Sequence, residues 1–178
     1  EIGGREAVVL KIIEIWDEKD YDPSWRRFVR RASRAVVIKG GRVAMVKSTV
    51  QGFYKFPGGG VKKGESRIEA LVREAREEAG LAIIRPSIRE LGMLWEIRKS
   101  RFEREIFDHR SYYYFARAKS RIMPQQLEKY EKALGFVLEF VDPEEAFENN
   151  MRLFGNKPGS FIMHESRILR EIIEKRTK

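Results

Sequence analysis

One segment of the chain, residues 65–81, constrains the fold more than any other because it has both a helical pattern and a defined end. Its apolar residues recur at helical spacing and form one stripe: Ile68, Leu71, Val72, Ala75 and Ala79. Gly80 follows at the position where many helices end in a left-handed glycine. Because such a stripe must be buried against another element, the segment predicts an amphipathic helix packed on a sheet.

Strand signals surround this helix. Arg34–Lys39 and Arg42–Ser48 are apolar runs joined by Gly40-Gly41, a pattern typical of a two-residue β-hairpin. Composition predicts further strands at Ala7–Ile13, Phe53–Phe56, Arg89–Ile97, Ser111–Ala118 and Phe136–Val141. Capping and periodicity predict helices that begin at Asp22 and Asp142 and one that spans His164–Lys175, with loops at Gly58–Gly60, Arg98–Arg110 and Phe154–Phe161.

These elements predict one α+β domain with helices packed on a mixed sheet. We expect residues 1–30 to be an N-terminal strand or extension and residues 31–178 to be the main domain. The 178 residues contain no cysteine, which excludes a disulfide scaffold, a zinc finger and a cysteine nucleophile. Apolar runs such as Ala35–Ile38 are too short to span a bilayer, and the first residues lack a signal-peptide pattern. We therefore expect a cytoplasmic protein with no membrane association.

The charge is strongly positive and uneven. The chain has 36 basic and 27 acidic residues, a formal net charge of +9. From Arg26 to Lys47 there are eight basic residues and no acidic one. Such a run can be an electrostatic funnel for a polyanion, such as a nucleotide or an RNA 5′ end, or it can be a solvated face. The sequence leaves both interpretations open.

Three glutamates, Glu74, Glu77 and Glu78, lie on the predicted helix away from its apolar stripe. They are spaced three and four residues apart, so their carboxylates can converge. Like charges at this spacing destabilise an isolated helix by about 0.2–0.5 kcal/mol per pair, and a bound divalent cation would reverse that penalty. Such oxygen ligands suit Mg²⁺ or Mn²⁺. Taken without their context, the glutamates could equally form an ordinary solvated face.

The stretch Gly59–Leu81 resembles the Nudix box, the pattern G-x5-E-x7-R-E-U-x-E-E-x-G-U in which U is aliphatic. Every fixed position is matched, by Gly59, Glu65, Arg73, Glu74, Ala75, Glu77, Glu78, Gly80 and Leu81. Ala75 is smaller than the usual aliphatic residue. The similarity extends to the flanking elements from about residue 30 onwards. It implies an α/β/α sandwich with a mixed β-sheet.

The resemblance also implies a hydrolase that cleaves a phosphoanhydride bond in a nucleoside diphosphate linked to another moiety. By the same resemblance, Glu74 and Glu78 would be the main ligands of Mg²⁺, with Mn²⁺ as a substitute. Glu77 would be a further ligand or the catalytic base. Arg73 is expected to orient a glutamate through a bidentate pair, and Glu65 to brace the loop–helix junction.

Residues outside the helix complete the candidate site. A base outside the box, instead of Glu77, could be one of four carboxylates: Glu96, Glu103, Glu105 and Asp108. The expected substrate-binding residues are Gly59, Gly60, Tyr54 and Arg98. Rings that could stack on a nucleobase, or pack in the core, are Phe53, Tyr54, Trp95 and Phe107. The two histidines, His109 and His164, are expected to be surface or packing residues rather than bases.

Three functions are consistent with this pattern. The first is a pyrophosphohydrolase acting on a small-molecule nucleotide: a nucleoside triphosphate, an ADP-ribose-type compound or a dinucleoside polyphosphate. The second is an RNA 5′-end pyrophosphohydrolase, supported by the basic window at Arg26–Lys47. The third is a non-catalytic nucleotide-binding module, against which the intact glutamates argue. A homodimer formed through the strand at Ala7–Ile13 is a further expectation, and the sequence does not select the substrate.

Overall fold

The computed structural model describes residues 10–155 and 161–176, which form a mixed α+β fold. The strands, numbered in chain order, are β1 (Ile12–Asp17), β2 (Arg26–Val36), β3 (Ile38–Lys39), β4 (Arg42–Ser48), β5 (Tyr54–Lys55), β6 (Gly58–Gly60), β7 (Arg89–Lys99), β8 (Glu105–Phe115) and β9 (Phe136–Val141). The helices are α1 (Arg67–Ala79), α2 (Lys129–Ala133), α3 (Pro143–Phe154) and α4 (Phe161–Arg176). A short 3₁₀ turn at Arg85–Ser87 leads from α1 to β7.

Two sheets organise these elements. The larger sheet has the order β1-β7-β8-β2-β6, with β1 parallel to β7, β7 antiparallel to β8, and β8 parallel to β2. The smaller, antiparallel sheet places β4 between its neighbours, with β3, β5 and β9 all pairing to it. The hairpin predicted at Gly40-Gly41 joins β3 to β4, and both glycines have positive φ. The predicted mixed sheet is confirmed.

The core has two clusters on opposite faces of the larger sheet, and consecutive tyrosines of β8 divide between them. Tyr112 and Tyr114 pack in the cluster that contains the apolar stripe of α1, including Leu71. Tyr113 packs in the cluster that contains Leu169 of α4. Since side chains of a strand alternate between faces, this division places helices on both sides of the sheet. The α/β/α sandwich is therefore confirmed.

Three sequence predictions were wrong about local structure. The helix predicted to begin at Asp22 is absent, because Arg26–Val36 pairs along its whole length with β8 and adopts a strand. Gly58–Gly60, expected to be a loop, pairs with β2 through Ala32–Arg34. Most of the charged stretch from 98 to 110 belongs to β7 and β8 rather than to a loop. In each case pairing within the sheet overrides the weak local preference.

Two of the predicted segments near the chain ends lie partly outside the described residues. The first three residues of the strand predicted at Ala7–Ile13 lie outside the described residues, and β1 occupies Ile12–Asp17. The predicted loop Phe154–Phe161 lies largely outside them too. The boundary predicted between residues 30 and 31 falls within β2.

Candidate active site

The helix that carries the glutamates is fixed at both ends by its own sequence. Ser66 caps α1: its side chain accepts from the backbone N–H of Glu69, and the Glu69 side chain accepts in return from the N–H of Ser66. Gly80 closes the helix with φ +67°, a conformation that a side chain would strain. The register of α1 against the sheet is thereby set, and with it the direction of its glutamates.

Arg73 holds the glutamates and the glycine segment in one hydrogen-bonded group. Its Nε and Nη2 donate to the two oxygens of Glu65 at 2.7 and 2.9 Å, which makes a bidentate pair. Nη1 donates to Glu74 at 2.6 Å and to Glu77 at 3.2 Å. Nη2 also donates to the carbonyl of Gly60 at 3.1 Å. The Arg73 guanidinium lowers the pKa of Glu65 to about 2, so Glu65 is ionised at neutral pH.

Glu78 is the most buried of the three helix glutamates, with 1% of its surface exposed. One carboxylate oxygen accepts from the backbone N–H of Gly58 at 2.9 Å. The other pairs with the ammonium group of Lys55, which also donates to the Gly58 carbonyl at 3.2 Å. Sequence reasoning missed Lys55, although a single lysine within the apolar run 53–56 was a visible signal.

Glu74 lies directly against the backbone of Gly59. A Cβ built on Gly59 would be 2.6 Å from Cδ of Glu74, so the glycine leaves the space that this carboxylate fills. Burial raises the pKa of Glu74, the Arg73 guanidinium lowers it, and the neighbouring Glu78 raises it. Glu77 is the least buried of the three, with 36% of its side chain exposed. Three carboxylates gathered beside a glycine cradle fit a hard divalent cation.

A cleft of about 990 Å³ opens beside Gly60 on the face of the larger sheet. Five arginines line it: Arg26, Arg27, Arg30, Arg98 and Arg101. Three aromatic rings line it as well: Phe28, Phe102 and Phe107. The carbonyl of Gly60, which lines the cleft, also accepts a hydrogen bond from Arg73. The cleft therefore lies directly beside the glutamates that Arg73 contacts. The arrangement can hold an anionic ligand with one end at the carboxylates.

Two residues expected to bind substrate, Gly60 and Arg98, lie in this cleft, whereas Tyr54 does not line it. Tyr54 is 3% exposed and its hydroxyl donates to Glu139 at 3.1 Å. Of the other candidate rings, Phe107 lines the cleft, Phe53 is buried in the core beneath α1, and Trp95 packs against that core on the opposite face of the sheet. The alternation of strands β7 and β8 accounts for this separation.

The carboxylates proposed as a base outside the helix are mostly engaged. Glu105 pairs with Arg26 and accepts from Ser100, and Asp108 pairs with Arg27 and Arg110. Glu96 is 3% exposed and accepts from both Arg98 and His164. Of the four, Glu103 alone is exposed, in the turn between β7 and β8. Glu96, Glu105 and Asp108 therefore have both carboxylate oxygens engaged by protein groups.

Both histidines are buried beside Glu96, and neither is a surface residue. Nε2 of His164 is 3.0 Å from Oε2 of Glu96, and Nδ1 of His109 is 3.8 Å from the same oxygen. Such a group could in principle hold a metal ion. The Arg98 guanidinium lies 2.6 Å from the other Glu96 oxygen and already balances its charge. A divalent cation added here would be an uncompensated buried charge, so we interpret the cluster as a hydrogen-bonded group.

Acidification is expected to destabilise the protein through His109. Burial, above all, lowers the pKa of His109 to about 4, and nearby His164, Arg34 and Arg30 lower it further against the opposing effect of Glu96. The unfolded chain, with an ordinary histidine pKa near 6.5, then binds more protons than the folded one. Stability should fall by up to about 3 kcal/mol as pH drops from 6.5 to 4.

Urea unfolding at several pH values measures this effect, with His109→Gln as the comparison. The pKa of Glu96 is lowered, so its own stabilisation is lost only below about pH 4.5, beneath most of this window. The variant should show a flatter dependence between pH 6.5 and 4. Parallel curves for the two proteins would contradict the assignment.

Gly59→Ala is expected to impair catalysis far more than folding. The added methyl group would meet the end of a flexible side chain, Glu74, which can move away at little cost to stability. The displaced carboxylate should reduce turnover by about 100-fold, as misplacement by about 1 Å does. Turnover and thermal melting measure the two effects. A Cβ on Gly60 meets nothing within 4 Å, so Gly60→Ala should lose much less turnover than Gly59→Ala. Equal losses of turnover in the two variants would show that any methyl group in β6 is harmful.

The fold and the glutamate-bearing helix are those of the Nudix class of proteins. The family model for the NUDIX domain matches residues 29–160, which is more than half of the chain. The chain therefore belongs to the Nudix family.

Known proteins agree with this assignment. The uncharacterized Nudix hydrolase YvcI of Bacillus subtilis (strain 168) is 31% identical over 62 residues, a match that spans 35% of this chain and 39% of that relative. A NUDIX hydrolase from Nitrosomonas europaea has a TM-score of 0.57 at 16% identity, covering 84% of this chain and 89% of that one. A MutT structure of Aliivibrio salmonicida or Vibrio cholerae has a TM-score of 0.52 at 18% identity, covering 83% and 99%. These structures share the fold.

Within the described residues, no helix is both long and apolar enough to cross a membrane.

Proposed function

We propose that this protein is a Mg²⁺-dependent pyrophosphohydrolase that acts on a small-molecule nucleotide, a nucleoside diphosphate linked to another moiety. One observation carries the proposal: the glutamate group of α1 opens at Gly60 into a cleft lined by five arginines. Carboxylates attract a divalent cation and arginines attract phosphates, so the two ends of a metal–diphosphate complex find complementary charge.

Each helix glutamate has a distinct proposed role. Glu74 and Glu78 would hold Mg²⁺, with Mn²⁺ as a substitute, because they are the more buried pair and lie against Gly59 and Gly58. Glu77 would accept the proton of the attacking water, since its side chain is the most exposed and contacts Arg73 at 3.2 Å. When bound, the metal supplies charge neutralisation of the diphosphate and lowers the pKa of water.

The other residues of the chain orient the reactants. Arg73 would fix Glu74 and Glu77 relative to the Gly60 carbonyl through its four contacts, rather than touch the substrate. Arg30 and Arg98 would contact the phosphates from the cleft, because both line it within reach of the glycine segment. The backbone of Gly59, whose missing side chain leaves room for Glu74, would keep that carboxylate close to a bound phosphate.

A screen that separates the products by chromatography and detects nucleoside monophosphate tests the proposal. Purified protein with Mg²⁺ or Mn²⁺ would be incubated with nucleoside triphosphates, 8-oxo-dGTP, ADP-ribose and dinucleoside polyphosphates. We expect turnover of one class that is lost with EDTA and in the Glu78→Gln variant. Tight nucleotide binding without turnover of any compound would instead favour a non-catalytic binding module.

A second candidate function is hydrolysis at an RNA 5′ end. The observation that favours it is the rim of the cleft, where Phe28 and Phe102 are more than half exposed beside arginines. Exposed rings and cations together suit single-stranded nucleic acid. The two functions separate by salt: log activity on 5′-triphosphate RNA should fall with log salt much more steeply than activity on a free nucleotide. Equal slopes would exclude the RNA function.

A further inference from the structure

The buried carboxylate of Glu96 lies between the cleft and helix α4. Glu96 is neither one of the proposed metal ligands nor the proposed catalytic base. Its two oxygens have different partners: Oε1 accepts from Nε of Arg98 at 2.6 Å, and Oε2 lies 3.0 Å from Nε2 of His164. His164 belongs to α4 and is 1% exposed. His164 thus holds the Glu96 carboxylate from the side of α4, and the carboxylate in turn holds Arg98 on the side of the cleft.

Arg98 is restrained in a second way. Its Cζ lies 4.5 Å from the centroid of the Phe107 ring, so the guanidinium packs against that ring. Its Nη1 donates to the carbonyl of Lys99 at 3.1 Å, and Nη2 takes part in neither of these hydrogen bonds. Phe107 in turn packs against His109 at 5.5 Å between centroids, and His109 against His164 at 5.2 Å. The arginine therefore rests on a continuous layer of rings.

We propose that Glu96 is a positioning residue that, together with His164, locks Arg98 in place as a preformed binding arm for a substrate phosphate. This inference rests on the proposed function, because it takes a phosphorylated ligand to occupy the cleft. Fixing an arginine side chain in one conformation costs rotamer entropy. If that cost is met during folding, it does not weaken the binding of the phosphate.

The charge on the cleft side of the pair supports a binding role for Arg98. Burial acts to raise the pKa of Glu96, but the neighbouring His109, His164 and Arg98 side chains lower it overall. Its charge is therefore shared among several donors. Arg98 keeps 28% of its side chain exposed at the cleft, beside Arg101 and Arg30. The cleft thus retains a net positive charge where a phosphate would enter.

The same two strands provide a matched control on the opposite face of the sheet. Arg110 pairs with buried Asp108 through Nε at 3.0 Å and Nη2 at 3.1 Å, and its Cζ lies 4.8 Å from the Trp95 ring centroid. It is the same arrangement of arginine, carboxylate and ring, but Arg110 does not line the cleft. Arg110→Ala should therefore resemble Arg98→Ala in stability but not in ligand binding.

A double-mutant cycle tests the inference by calorimetric titration of inorganic pyrophosphate and ADP in EDTA, so that neither metal nor turnover is required. Arg98→Ala should weaken binding about 10-fold or more, and Glu96→Gln about 5-fold. In the Arg98→Ala background, Glu96→Gln should add less than about 1.5-fold, because its effect passes through the arginine. Arg110→Ala should leave the affinity unchanged.

Arg98→Lys protects the test against misfolding, because it keeps the charge of a partly exposed side chain but not the paired, stacked geometry. It should weaken binding by about 5-fold, whereas simple charge attraction predicts no change.

With a substrate from the screen, Arg98→Ala and Glu96→Gln should raise KM more than they lower kcat. Additive effects of Glu96→Gln and Arg98→Ala, or an unchanged affinity in both, would overturn the inference even if the enzyme turns over its substrate. Failure of turnover alone would overturn the proposed function and leave this binding result intact.

Discussion

Glu78→Gln should reduce metal-dependent turnover by about 1,000-fold, the largest loss expected from any single substitution in this protein. The change keeps the size of the side chain, so the hydrogen bond from Gly58 can persist, but Lys55 loses its carboxylate partner. Turnover is therefore compared well below the melting temperature of the variant. Titration of Mn²⁺ followed by electron paramagnetic resonance should show weaker binding in parallel with the loss of activity. Glu74→Gln should behave similarly.

Glu69→Gln is the matched control on the same helix. Glu69 is exposed and its side chain closes the capping box with Ser66, which a glutamine can also do. Its turnover and Mn²⁺ affinity should remain within about two-fold of the unchanged protein. If Glu78→Gln kept full Mg²⁺-dependent activity while Glu69→Gln lost it, the assignment of metal ligands would be wrong.

The second large effect is on stability, at the buried pair of Arg34 and Glu165. The guanidinium Nε lies 3.2 Å from Oε1 of Glu165, and their side chains are 9% and 0% exposed. The other Glu165 oxygen accepts from the backbone N–H of Phe56 at 2.8 Å. Glu165→Gln leaves the Arg34 charge buried and unpaired, so the free energy of unfolding should fall by about 3–5 kcal/mol.

Urea denaturation at neutral pH measures this change, and two comparisons make the result specific. Glu144→Gln removes one carboxylate of an exposed pair with Arg176 and should cost less than about 1 kcal/mol. Arg34→Met combined with Glu165→Leu should recover much of the loss, because no lone charge remains. A loss below about 1 kcal/mol for Glu165→Gln would show that water reaches the pair.

The sequence predicted the parts of the molecule in which local and global signals agree. The stripe on α1 and its cap at Gly80 both follow from spacing within one helix. The hairpin at Gly40-Gly41 follows from turn chemistry that no tertiary contact opposes.

The sequence did not predict features that depend on which strands become neighbours. The helix expected at Asp22 gave way to β2, whose pairing with β8 extends over eleven residue pairs, from Arg26 to Val36. His109 and Glu96 were unconnected in the sequence and meet because β7 and β8 place them opposite each other. Tyr54 was expected near the substrate, but the smaller sheet places it in the core. Propensity cannot reveal such contacts, since they arise from long-range pairing.

The alternation of side chains along β2 also limits how this protein can change in evolution. Phe28 and Arg30 face the cleft, whereas Val29 and Arg31 line a separate depression beside the start of α1. Inserting or deleting one residue in the first half of β2 would exchange these two sets between the faces. Length changes there should therefore be tolerated only in steps of two residues, while point substitutions at Phe28 or Arg30 can alter ligand preference without moving the glutamates of α1.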